Sequence, residues 1–170
     1  MRMIRSYAED WNIAKDEVGV IGFSAGGHLA STLGIHFENE DSQDSRPDFM
    51  ALIYPVISMK KELTHQGSRN ALLGESPGED LVKSFSNETR VSEKTPPTFL
   101  IHATDDEAVP VENSLAFYTA LKSNNIPVEM HIYPEGGHGF SLGTDNEVLQ
   151  SWPELFYTWL KKLDSKEEKE

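Results

Sequence analysis

The sequence predicts a parallel α/β fold, and three observations predict it. Four short runs rich in β-branched and aromatic residues, at 18–23, 49–57, 98–103 and 128–133, have the length and composition of strands. Segments with helical periodicity lie between and after them, at 25–35, 111–124 and 152–163. Strands that alternate with helices need crossover connections, which are the connections of a parallel sheet. The chain has 170 residues, enough for one domain with a core burying roughly 70% of the unfolded surface and too few for a second full domain.

Taken in order, the chain opens on Met3, Ile4, Tyr7 and Trp11, whose spacing predicts a helix that docks on a sheet. The run 18–23 is almost wholly apolar, the mark of a strand buried on both faces, yet it would lie at the edge of the sheet. The stretch 60–97 is long and polar for a strand-to-helix connection. It reads as a small lid-like insertion with helical turns at 68–73 and 79–85. In the last helix Trp152, Leu155, Phe156, Trp159, Leu160 and Leu163 fall on one face, and Ser151 with Glu154 is spaced as a capping box. The charged tail 164–170 is expected to fray.

Composition excludes several classes of function. Lys and Arg number 15 against 28 Asp and Glu, a net charge of −13 that repels nucleic acid and anionic lipid. With no Cys there is no disulfide framework, thiolate metal cluster or cysteine nucleophile. No stretch approaches the ~20 apolar residues of a membrane-spanning helix, and the first ten residues lack the apolar run of a signal peptide. His36, His65 and His131 share no ligand spacing, and the acidic run Glu38, Glu40, Asp41 and Asp44 does not match a calcium loop, so no metal site is expected.

Chemistry concentrates at three strand ends. Gly22-Phe23-Ser24-Ala25-Gly26 places a G-x-S-x-G between a predicted strand and a predicted helix. A sharp turn there lifts the serine hydroxyl above the sheet, and its flanking glycines are expected to be required because side chains would collide with neighbouring backbone. The Ala25 N–H, at the start of the helix, can donate to an oxyanion. Asp105 and Asp106 follow the third strand, and Gly136-Gly137-His138-Gly139 follows the fourth. Serine, acid and histidine thus occur in the chain order that this chemistry uses on an α/β sheet. A neutral serine is a poor nucleophile. It needs an imidazole to take its proton and a carboxylate to hold the imidazole's tautomer.

These residues extend into longer motifs: Gly22-Phe23-Ser24-Ala25-Gly26-Gly27-His28-Leu29-Ala30, His102-Ala103-Thr104-Asp105-Asp106 running into Val109-Pro110-Val111-Glu112-Asn113-Ser114, and Tyr133-Pro134-Glu135-Gly136-Gly137-His138-Gly139-Phe140. Together they resemble the acetyl-esterase and acetylxylan-esterase group of α/β-hydrolases over residues 11–160. The resemblance implies a serine carboxylic ester hydrolase that forms an acyl-serine intermediate, uses no cofactor, and acts on carbohydrate or other small-molecule esters. Carried over residue by residue, it makes Ser24 the nucleophile, His138 the base and Asp106 the acid. Spacing alone does not separate Asp106 from Asp105, the other being a solvated loop carboxylate. His28 and His102 are read as packing or hydrogen-bonding residues. Tyr54, Pro55, Val56, Val109 and Phe140 could wall an acyl pocket or simply pack the core.

The sequence departs from that group in its front half. Such hydrolases carry about eight strands and a His-Gly-Gly loop that supplies a second oxyanion donor, and no such loop precedes Ser24. The expectation is therefore an α/β-hydrolase fold truncated to its last four strands, weak in catalysis because one oxyanion donor is worth about 10²- to 10³-fold in rate. Two other readings stand beside the esterase. One is a catalytically weak or inactive hydrolase fragment that self-associates as a homodimer or oligomer through the exposed strand 18–23. The other is a prolyl-oligopeptidase-type peptidase, which needs a gating domain that 170 residues do not hold.

Overall fold

The computed structural model describes residues 1–37 and 45–167. Four strands, β1 (Val20–Phe23), β2 (Met50–Ile53), β3 (Thr98–Ala103) and β4 (Val128–Tyr133), form one sheet in the order β1-β2-β3-β4. All three pairings are parallel, with Gly22 beside Leu52, Ile53 beside Ile101 and Ala103 beside Tyr133. Because every strand runs the same way, Phe23, Ile53, Ala103 and Tyr133 end at one edge of the sheet, where a parallel α/β fold presents its functional loops.

Helices cover both faces, as a parallel sheet requires. Residues alternate along each strand. Met50, Leu52 and Leu100 pack with Ala30 and Ile35 of α3 (Ala25–Ile35) and Phe117 and Leu121 of α6 (Glu112–Ser123). Ala51, Ile53, Phe99 and Ile101 point the other way, onto Trp152 and Trp159 of α7 (Trp152–Glu167). Both central strands, β2 and β3, are buried along their whole length.

β1 lies at the sheet edge as expected, but it is only half-covered: Ile21 and Phe23 are 46% and 36% exposed. Apolar composition reports that a strand has a partner layer, not that both faces are filled within these residues.

β2 is shorter than the apolar run 49–57 suggests. Pro55 has no N–H for a ladder and Tyr54 adopts φ 39°, so the chain leaves the sheet after Ile53. Residues 54–59 stay buried all the same. Buried backbone needs partners, and the amides of Ile57 and Ser58 both donate to Asn113 Oδ1, at 3.0 and 3.1 Å.

Three further local expectations are corrected. The amino-terminal helix is broken at Tyr7 into α1 (Arg2–Ser6) and α2 (Ala8–Trp11), and Ala8 is buried while Met3, Tyr7 and Trp11 are exposed. A polar attachment runs through Arg5, which donates to Asp48 Oδ2 at 2.9 Å and to the Arg46 carbonyl at 2.7 Å. The capping box at Ser151 does not form. A 3₁₀ turn, Leu149–Ser151, runs straight into α7, and the Ser151 hydroxyl donates to the Val148 carbonyl at 2.6 Å. α7 also continues to Glu167, into the stretch expected to fray. The acidic run Glu38, Glu40, Asp41 and Asp44 and the last three residues of the tail lie outside the described residues.

The segment 60–97 carries α4 (Gln66–Leu73), α5 (Glu79–Ser84) and a 3₁₀ turn at Asn87–Thr89. α4 starts where the His65 ring accepts from the Ser68 amide. Buried Asn87 ties this segment to α3, its side-chain amide donating to Ser31 Oγ at 2.7 Å and Thr32 Oγ1 at 3.0 Å.

The glycines around Ser24 are not equivalent. A Cβ on Gly22 would stand 2.3 Å from the Gly26 carbonyl oxygen and 2.7 Å from Ala30 Cβ, and one on Gly27 would stand 2.5 Å from Pro55 Cβ. A Cβ on Gly26 meets nothing within 4 Å. The second glycine of the pentapeptide is therefore not the crowded one, contrary to the sequence reading. Urea unfolding should show G26A as stable as the parent, while G22A and G27A each lose about 1–3 kcal/mol; equal losses at all three positions would contradict the packing described.

Candidate active site

Ser24 joins β1 to α3 at φ 53° and ψ −122°, a backbone conformation that non-glycine residues adopt at a cost of order 1–3 kcal/mol. Its own peptide groups hold it there. The Ser24 amide donates to the Ile53 carbonyl at 3.0 Å, and the Ser24 carbonyl accepts from Gly27 and Val56 amides, both at 3.0 Å. This turn aims the hydroxyl off the top of the sheet, 2.7 Å from His138 Nε2. Ala25, the first residue of α3, has no intrahelical acceptor for its amide, so that N–H is available beside the hydroxyl.

Asp106 is the carboxylate that meets the histidine: its Oδ2 lies 2.7 Å from His138 Nδ1. Its Oδ1 accepts from the Ala108 and Val109 amides at 3.0 and 2.8 Å, and the side chain is fully buried. A carboxylate cannot donate in its ionised form, so Nδ1 carries the proton and Nε2 presents a lone pair to Ser24. The three residues singled out from the sequence are thus brought together in one hydrogen-bonded line.

Asp105 is not the idle loop carboxylate that the sequence reading made of the losing neighbour. Its Oδ1 accepts from the Gly137 amide at 2.8 Å and so pins the loop that carries His138. The same loop is held from two other elements. The Tyr54 hydroxyl accepts from the Ser141 amide at 3.1 Å, and Trp152 Nε1 donates to the Ser141 carbonyl at 3.0 Å. The Tyr54 ring also stands edge-on to the His138 imidazole, with centroids 5.0 Å apart, and to Phe140 at 4.6 Å. Burial pushes the Tyr54 phenol above its ordinary range, the Asp106 charge adds to this, and the Ser141 N–H opposes it. Tyr54 and Phe140 therefore serve the histidine loop, whereas Val56 and Val109 pack with Met59 in a small core of their own.

Two buried histidines flank this line. His28 Nε2 bonds the Phe85 carbonyl at 2.8 Å, which fastens α3 to the segment 60–97. His102, in the fully buried β3, lies 2.8 Å from Ser114 Oγ through Nδ1, while its Nε2 is 2.9 Å from the Val109 carbonyl and 3.3 Å from Asp106 Oδ2. The visible sign of it in the sequence is a histidine inside an otherwise apolar strand, four residues before Asp106. His65 caps α4, and His131 pairs with Glu129 at 2.9 Å.

A cavity of about 530 Å³ opens beside Ala25. Leu29 and Thr32 of α3, Ala71 and Leu72 of α4, and Met59 and Phe85 give it a mainly apolar wall.

Residues 1–121 match the family described as BD-FAE. The chain belongs to this family. Among curated proteins, an acetylxylan esterase from Xylanibacter ruminicola is 36% identical over 171 residues, covering 98% of this chain and 35% of that protein. An endo-1,4-beta-xylanase B from Butyrivibrio fibrisolvens is 37% identical over 159 residues, covering 89% of this chain and 25% of its own length. Among solved structures, an acetyl ester-xyloside bifunctional hydrolase from Caldicellulosiruptor lactoaceticus superposes with a TM-score of 0.90 at 46% identity, over 96% of this chain and 62% of that one. This BD-FAE chain thus has an acetylxylan-esterase-like α/β-hydrolase fold, seen here as four parallel strands with their helices. It spans about a third or less of the curated relatives.

Desolvation holds both His28 and His102 below the ordinary imidazole range, against the opposing pull of the Phe85 and Val109 carbonyls. The unfolded chain therefore takes up protons below about pH 6.5 that the folded chain refuses, and stability falls with pH there. The urea midpoint should drop between pH 7 and pH 5, and drop less in H28Q. A midpoint constant across that interval would show that the two rings are not held neutral.

Proposed function

We propose that this chain is a serine carboxylic ester hydrolase that works through an acyl-serine intermediate and removes acetyl or other small acyl groups from carbohydrate esters. The observation that carries the reading is the unbroken line from Ser24 Oγ to His138 Nε2 to Asp106 Oδ2, with both links at 2.7 Å. The names of the acetylxylan esterase and of the acetyl ester-xyloside hydrolase support the substrate class.

The chemistry follows from the geometry. Ser24 Oγ bonds to the ester carbonyl carbon while its proton passes to His138 Nε2. The imidazolium so formed keeps its Nδ1–H on Asp106, whose buried charge stabilises it. The carbonyl oxygen becomes an oxyanion beside the Ala25 N–H at the amino terminus of α3. Collapse breaks the ester C–O bond, and the Nε2 proton leaves with the alcohol. Water then attacks the acyl-serine carbonyl carbon, giving a proton to the same nitrogen; the bond from that carbon to Ser24 Oγ breaks, Nε2 returns the proton to Oγ, and the carboxylic acid leaves.

The outer edge of β1 favours a second reading. Among the described residues its strand pairs with β2 alone, and Ile21 and Phe23 stand exposed along that edge. On that reading the chain is a weak hydrolase that pairs with itself through residues 18–23.

Three measurements test these readings. A fluorophosphonate should label Ser24, and p-nitrophenyl acetate hydrolysis should fall by at least about 10³-fold in S24A or H138A. Absence of labelling together with background hydrolysis would remove the esterase. Sizing with light scattering should show a dimer or larger species that dissociates when Ile21 is replaced by Lys, and a monodisperse monomer would remove the self-pairing.

A further inference from the structure

His102 is a wholly buried titratable group in direct contact with the triad acid, and no step of the proposed mechanism uses it. Its surroundings settle its tautomer. Nε2 faces the Val109 carbonyl at 2.9 Å and Asp106 Oδ2 at 3.3 Å, two oxygens that can only accept. Nε2 therefore carries the proton, and Nδ1, 2.8 Å from Ser114 Oγ, accepts from that hydroxyl. Burial pushes the ring's pKa down and keeps it in this neutral form.

The contact has two parts. Nε2–H donates to the carbonyl of Val109, whose own amide donates to Asp106 Oδ1 at 2.8 Å, and the same nitrogen stands 3.3 Å from Oδ2. His102 thereby holds Asp106 through the Val109 peptide at Oδ1 and sets a polar N–H beside Oδ2. Ser114, on α6, ties the far side of the ring to a helix.

We propose that His102 is a positioning residue for the reaction, which through its Nε2–H fixes the Asp106 carboxylate in the plane from which it holds His138. This rests on the acyl-serine reading for its kinetic consequence, though not for its geometry. Asn and Gln separate the two ring nitrogens. A Gln amide reaches the place of Nε2 and can donate to both oxygens, whereas an Asn amide reaches only the place of Nδ1. On the 170-residue chain with p-nitrophenyl acetate, H102N should lower kcat about 10- to 100-fold with KM unchanged, and H102Q should recover kcat to within about threefold of the parent. Equal kcat in the two variants, whether retained or lost, overturns the proposal, because a merely space-filling role does not distinguish them.

Nitrogen-15 NMR of the histidine rings in the unsubstituted chain decides the geometry without turnover and without a variant that has to fold. The expected signature is an Nε2–H tautomer for His102 through neutral pH. An Nδ1–H tautomer or a protonated ring at neutral pH overturns the proposal whatever the activity. A chain with the expected signature that hydrolyses no ester leaves His102 gripping Asp106 and removes the esterase reading instead.

Discussion

A carboxylate stripped of water must have its charge answered by donors that the fold supplies, and Asp106 is such a group. Its side chain is fully buried, yet three donors converge on it, the Ala108 and Val109 amides and the His138 Nδ1–H, with His102 Nε2 a further 3.3 Å from Oδ2. Leaving an ionised acid buried without them would cost several kcal/mol, and the acid would protonate instead. Much of the upper rim of the sheet can be understood as the set of constraints that keeps those donors in place. β3 carries His102 to the rim, the turn after it folds back so that its own amides cap Oδ1, and α6 holds His102 from behind through Ser114. The histidine loop then meets an acid whose position is already determined from three sides.

That loop is the part most in need of support, since His138 sits on a connection with positive φ at Gly137, Gly139 and Ser141. Three elements bind it: Asp105 at Gly137, Tyr54 at Ser141 and Trp152 at the same residue. Each bond between neutral groups is worth about 0.5–1.5 kcal/mol net, and one to a charged group somewhat more. No single one immobilises the ring, but together they span both sides of the loop. Tyr54 contributes most directly, because its ring lies against the imidazole while its hydroxyl holds the backbone beyond it. Its own positive φ is the bend that takes the chain out of β2 and up to this position, so the end of one strand determines the orientation of a side chain beyond the end of another.

The sequence made legible whatever is encoded within about ten residues. The limits of α3, β3 and β4 coincide with the periodic runs, and the serine turn was visible because a strand, a glycine-flanked serine and a helix are contiguous. What depends on the approach of distant segments was not legible. Asp105 and Asp106 are adjacent in the chain and differ only in which of them turns inward, a choice made by the amides of residues 108 and 109. The crowding that forbids a side chain at Gly27 comes from Pro55, and the open space at Gly26 is equally a matter of what does not approach. At Ser151 a favourable local pattern lost to a competing one: the preceding 3₁₀ turn already satisfies the backbone, so the hydroxyl bonds backwards to Val148 and not forwards into the helix.

The division of labour in the site follows from the same topology. Groups that move or orient a proton come from the ends of β1, β2, β3 and β4, and all lie between Ser24 and Trp152 within this chain. Stabilising an oxyanion is a separate requirement, for which the Ala25 amide at the start of α3 is placed. Proton transfer depends on distances of 2.7 Å between side chains that the sheet holds in register. Charge stabilisation depends on how many dipoles surround an oxygen that exists only in the transition state. The first can be complete while the second is partial, so an intact triad in this chain is a statement about nucleophile activation and not about rate.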